Sequence, residues 1–102
     1  MLGVPLSSVP SQSFQMVLDG QDCNIEILTR GERLYMNLAV NGIEIQNGAI
    51  CINKVAIIQK PTNVFSGNFI FIDTLGESDP KWNALDSRYY LVYLSADELK
   101  EI

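Results

Sequence analysis

Glu26 and Glu44 each stand between apolar neighbours in two stretches with strand-like alternation. Carboxylates that face one another across a cleft are what glycoside hydrolysis requires, and these two could do so from neighbouring strands. Cys23 and Cys51 supply two thiols, and a thiol becomes a nucleophile when a cation or a base depresses its pKa. Neither pair is completed. The 102 residues include no histidine, which excludes a Ser-His-Asp triad, a Cys-His pair and an imidazole metal site within this chain. Glu26 and Glu44 occupy the alternate positions that face solvent in a half-buried strand. Cys23 and Cys51 also lie in apolar alternating stretches, are too few for a disulfide scaffold and lack metal-ligand spacing, so both read as buried free thiols.

Three further constellations fall short in the same way. Asp73, Glu77 and Asp79 crowd a stretch containing Gly76, but their spacing lacks the alternating acids and fixed glycine of a calcium loop. The seven glycines are scattered singly through turn-like positions, with no GxGxxG or GxxxxGK to cradle a phosphate. Tyr89, Tyr90 and Tyr93 with Trp82 suggest an aromatic platform for sugars. Strand alternation, however, puts Tyr89 and Tyr93 on one face and Tyr90 on the other. No cofactor, metal site or enzymatic activity is expected.

Charge narrows the partners. Twelve acids against seven bases give a net charge of −5, and the seven cations are dispersed, so no basic face exists to displace counterions from nucleic acid. Seven of the acids and three of the bases fall between Asp73 and Ile102, which makes the C-terminal third the acidic part. The N-terminus has no basic segment followed by an apolar core of signal-peptide type, and no apolar run approaches membrane-spanning length. Neither secretion by that route nor a membrane partner is expected.

The elements that position these side chains are strands. Phe14, Met16 and Leu18 alternate with polar or smaller neighbours up to Asp19-Gly20. Cys23, Ile25 and Ile27 follow up to Arg30-Gly31-Glu32, and Leu34, Met36, Leu38 and Val40 up to Asn41-Gly42, a favoured type I′ hairpin turn. Asn47-Gly48 predicts another turn, and the pattern breaks near Asn53-Lys54 for a bulge or a corner between sheets. Val55–Ile58, Phe69–Ile72 and Tyr89–Leu94 are instead apolar at consecutive positions, so both faces of those strands demand cover. Either a short helix and a long loop supply it or another subunit does, and in so small a chain a partner is the expectation. The fold class is all-β: a small antiparallel β-barrel or two-sheet sandwich of about six to eight strands with one short C-terminal helix. Ser95-Ala96-Asp97-Glu98 has the form of a capping box that starts this helix, continuing through Ile102 with Leu99 and Ile102 packed on the sheet.

Two segments stand apart from the meander. Met1 to Leu18 carries no charged side chain, and Pro5 and Pro10 hold residues 1–10 extended as an arm ahead of a single β domain, 11–102. Leu2, Val4, Leu6 and Val9 offer apolar contacts along that arm, either to its own domain or to a neighbour, unless the arm is disordered. Between Asp73 and Arg88 runs a loop of about fifteen residues with the sole tryptophan, Trp82, which either caps the core or anchors an interface. The candidate interface residues are accordingly Leu2, Val4, Leu6, Val9, Trp82 and Tyr90.

Val4-Pro-Leu-Ser-Ser-Val-Pro-Ser-Gln-Ser-Phe14, the strand ending in Leu18-Asp19-Gly20, Gly48-Ala-Ile-Cys-Ile-Asn53, Ser66-Gly-Asn-Phe-Ile-Phe-Ile-Asp73 and Arg88-Tyr-Tyr-Leu-Val-Tyr93 together carry a resemblance. From about Val4 to Glu98 the chain resembles the small plug proteins of contractile-tail (myophage) baseplates. The pattern is one of strands and turns with scattered Gly, Asp and Tyr and holds no catalytic signature. The resemblance implies a structural virion protein, made in the bacterial host cytoplasm and built into the tail baseplate. There it would close the central tube axis against hub, spike or tube proteins, as a homo-oligomer for which a trimer suits a threefold hub. The acidic C-terminal third would then face the lumen. An alternative from another class is a monomeric β-barrel module binding a small ligand or glycan, with Trp82 and residues 73–88 at its mouth.

Overall fold

A computed structural model describes residues 1–59 and 64–99. Among them are seven strands: β1 (Leu2–Val4), β2 (Ser11–Leu18), β3 (Gln21–Arg30), β4 (Arg33–Val40), β5 (Ile43–Ile50), β6 (Asn68–Asp73) and β7 (Tyr89–Leu94). A 3-10 turn spans Trp82–Ala84, and helix α1 spans Ala96–Leu99. The strands form two antiparallel sheets, ordered β2-β3-β4-β5 and β1-β7-β6. This is the two-sheet form of the expected all-β fold, and no barrel closes among the described residues.

The four-stranded sheet follows from the alternation in the sequence. Asp19 and Gly20 both have positive φ, as do Asn41 and Gly42, which is what two-residue hairpin turns of the right twist require. Cys23, Ile25 and Ile27 on β3 and Leu34, Met36, Leu38 and Val40 on β4 point inward and are fully buried. Asn24, Glu26, Asn37 and Ala39 take the outer face.

Asn47-Gly48 is a bulge inside β5, where a turn was expected. The β4–β5 register shifts on either side of Leu38, and Gly48 has φ +73°. A bulge and a tight turn both call for a residue with positive φ, so the dipeptide alone does not separate them. The Asn37 side chain settles the local geometry: its Oδ1 accepts the Gly48 N–H at 2.6 Å while its Nδ2 donates to Glu26 at 2.8 Å, linking β3, β4 and β5.

At Lys54, which has φ 61°, the chain turns the corner from one sheet to the other. Residues 53–57 then run beside β6, with the Lys54 N–H bonded to the Phe71 carbonyl and the Ile57 N–H to that of Phe69. The expected strand Val55–Ile58 does not form. Ile57 and Ile58 turn into the core while Val55 stays 40% exposed. On β6 and β7, Phe69, Phe71, Tyr89, Leu91 and Tyr93 face the other sheet. Of the opposite face, Val92 and Leu94 are buried, Ile70 and Ile72 half-buried and Tyr90 37% exposed. The chain thus covers most of the apolar surplus itself, aided by β1 at the β7 edge and α1 against β7.

The two sheets meet at an aromatic cluster. Phe65, Phe69 and Tyr93 have ring centroids 5.4 to 6.0 Å apart, and the Tyr93 hydroxyl reaches across to donate to Asp19 in the β2–β3 turn. The capping box forms reciprocally, with the Ser95 N–H bonded to Glu98 Oε1 and the Glu98 N–H to Ser95 Oγ. Leu99 is half-buried, and Ile102, placed in the helix by its sequence, lies outside the described residues.

Candidate interaction surface

The loop between β6 and β7 is built around one buried carboxylate. Asp73 ends β6 on its inner face and Arg88 immediately precedes β7. The guanidinium donates from Nε to Oδ1 and from Nη2 to Oδ2, both at 2.8 Å. The same two oxygens accept the N–H groups of Leu75 and Ser78. These bonds, led by the Arg88 pair, hold the Asp73 carboxyl well below the usual carboxylate range. Asp79 is also engaged, accepting from Arg33 Nη2 and from the Asn53 N–H, each at 3.0 Å. The Asp73, Glu77, Asp79 group therefore acts as a loop frame, with Glu77 on the exposed rim and 4.0 Å from Lys54. No cluster of metal-ligating side chains occurs among the described residues.

That frame carries Trp82 at the start of the 3-10 turn, 36% exposed, while Leu85 three residues later drops into the core. Ser8 Oγ bonds the Leu85 carbonyl at 2.9 Å and fastens the N-terminal segment to the loop. Leu2, Gly3 and Val4 pair with Tyr93, Val92 and Leu91. Val4 and Leu6 are consequently buried in the chain's own core and offer no outward surface. Leu2 (49% exposed), Val9 (37%), Trp82 and Tyr90 remain accessible. The structure brings Tyr90 together with Gly3, Pro5 and Asp86 around a pocket of about 220 Å³. Nothing in the sequence signalled that Tyr90 and the N-terminal segment would meet, because the contact depends on β1 adding to β7.

The thiols are buried, and the two glutamates lie on non-adjacent strands. Burial pushes the Cys51 thiol up to about 12 and raises Cys23 as well, so neither forms a thiolate near neutrality. Glu26 and Glu44 border one groove of about 530 Å³ on the outer face of the four-stranded sheet. They lie on β3 and β5 with β4 between them, not on neighbouring strands, and Glu26 is engaged by Asn37. Tyr89 and Tyr93 are buried, and Tyr93 is held protonated by burial and by its bond to Asp19, so the tyrosines form no platform for sugars.

The sheets, the framed loop and the exposed apolar side chains describe a structural module, and comparison with known families decides which. The model of the family described as cyanophage baseplate Pam3 plug gp18 matches residues 1–97. The chain belongs to that family. It is a baseplate plug protein, a component of the virion tail. The match spans both sheets and the loop, nearly the extent of the resemblance carried by the strand and turn pattern, about Val4 to Glu98. No curated protein matches the chain. A structural plug implies no enzymatic activity.

Proposed function

We propose that this plug sits at the centre of the baseplate, on the tail axis below the tube and against the hub, and closes the lumen until the tail is triggered. The family match over residues 1–97 carries the reading. It is supported by the accessible side chains Leu2, Val9, Trp82 and Tyr90, since aromatic and aliphatic side chains of this kind anchor protein interfaces. A cyclic homo-oligomer suits an axial position, and three copies match a threefold hub.

In this arrangement the acidic side of the loop faces the lumen and repels the nucleic acid behind it. Asp79 is held by Arg33, so the outward charge rests on the exposed Glu77 and Asp86. Glu77→Lys should loosen DNA retention without loss of baseplate incorporation; unchanged retention would remove the lumen-facing orientation. Cross-linking of purified tails followed by mass spectrometry tests the placement. Cross-links from the N-terminal amine and Lys81 to hub proteins are expected, and cross-links confined to peripheral wedge or fibre proteins would refute it.

A further inference from the structure

We infer that the outer edge of β2 is a strand-addition site, taken by an extended, uncharged segment of a neighbouring baseplate protein. This deepens the proposed placement and rests on it. Every sheet has two edges whose main-chain groups seek partners, and proteins protect them by shortening, covering, bulging or charging them. Three of the four edges here are protected. β1 has only three residues, β6 is covered by residues 53–57, and β5 is interrupted by its bulge and bears Glu44. β2 has none of these devices. It runs eight residues, Ser11–Leu18, in unbroken register with β3, and it contains no charge, no proline and no bulge.

The register identifies the open groups. Leu18 and Gln21 flank a two-residue turn and so form a hydrogen-bonded pair, after which bonding alternates. Ser11, Ser13, Gln15 and Val17 therefore direct their N–H and C=O groups away from β3. The Asn41 N–H bonded to the Asp22 carbonyl is consistent with this phase, because Asp22, opposite Val17, turns its groups toward β4. Among the described residues no group pairs with this edge, and all four residues are exposed.

The flanking side chains specify the occupant. On the core side Phe14 and Met16 are only half-buried at the sheet margin, and on the other side Ser13 and Gln15 are polar. An added strand thus needs apolar and polar residues in alternation, and no charge to set beside an uncharged edge. A second copy has a β2 of this pattern but too little area: a strand of eight residues is ~27 Å long and a sheet about 10 Å thick, roughly 270 Å² per copy, against about 800 Å² per partner in a stable interface. A segment of a neighbour already held in the baseplate escapes that limit through its high local concentration.

Gln15→Pro tests this, because the Gln15 N–H points outward and its loss leaves the β2–β3 ladder intact. Phage carrying the variant should yield tails in which the plug, quantified by mass spectrometry against tube protein, falls by more than about tenfold, as several main-chain bonds fail together. Gln15→Ala should incorporate normally. If the proline variant proves unfolded by circular dichroism, Ser13→Lys with Gln15→Lys, which charges the edge and keeps its N–H groups, should give the same loss. Normal incorporation of a folded edge variant overturns the inference and leaves the baseplate reading standing, whereas absence of wild-type plug from tails overturns both. A loss with Gln15→Ala equal to that of the proline variant overturns main-chain pairing. A purified dimer that Gln15→Pro converts to monomer makes a second copy the occupant and overturns the choice of a neighbour.

Discussion

Arg88 clamps Asp73 through two parallel hydrogen bonds of 2.8 Å, and the fourteen residues between them become a closed loop with Trp82 on its crest. A bidentate guanidinium fits a carboxylate in a way that an ammonium does not. Arg88→Lys should therefore lower the melting temperature, and Arg88→Ala should lower it further by leaving Asp73 buried without its cation. The same pair sets an acid limit. The Asp73 pKa is depressed in the folded state, so the unfolded chain takes up the proton first as pH falls. The stabilisation is complete well above the unfolded value of about 3.9 and is lost progressively as pH falls below it toward the folded value. Thermal melts from pH 7 to pH 2 should show this loss in the wild type and a flatter profile in Asp73→Asn.

Gly67 and Tyr93 form a second tight relationship. A Cβ at Gly67 would sit 2.4 Å from the Tyr93 ring, which Phe65, Phe69 and Asp19 fix in place. Gly67→Ala should cost about 1–3 kcal/mol by overpacking. Tyr93→Phe should cost about 1 kcal/mol through loss of the bond between the sheets. Urea unfolding of each variant measures both.

The N-terminal segment separates stability from assembly. Leu6→Ala should destabilise the isolated protein by about 2–5 kcal/mol because it opens a cavity in the core. Leu2→Ser and Val9→Ser alter exposed positions and should change stability by less than about 0.5 kcal/mol. Under the proposed placement, those two should instead reduce incorporation into tails. Chemical denaturation and tail composition read the two effects independently.

Cys23 and Cys51 are fully buried, with both pKa values raised. A thiol reagent at neutral pH should modify them only as fast as the protein opens, and in denaturant both should react at once. Prompt modification of the native protein would contradict this burial.

Much of the four-stranded sheet is legible in the sequence because its determinants are local. Asp19-Gly20 and Asn41-Gly42 specify their turns through φ, and the alternation of Leu34, Met36, Leu38 and Val40 specifies a face. The capping box at Ser95 is local in the same way. What stays hidden is nonlocal. Pairing of Leu2–Val4 with β7 joins opposite ends of the chain, the corner at Lys54 turns Ile57 and Ile58 inward without a strand, and Arg88 finds Asp73 across an entire loop. For the candidate surface, exposure of Leu2, Val9, Trp82 and Tyr90 accompanies burial of Val4 and Leu6, a division that alternation in a proline-bound segment does not disclose.

A plug on the tail axis must be visible in a map of the intact extended tail. Single-particle imaging of wild-type tails, compared with tails lacking this protein, should show the difference density on the tail axis, between hub and tube, filling the lumen. Difference density at the baseplate periphery, with an open channel in both maps, would rule out the axial position.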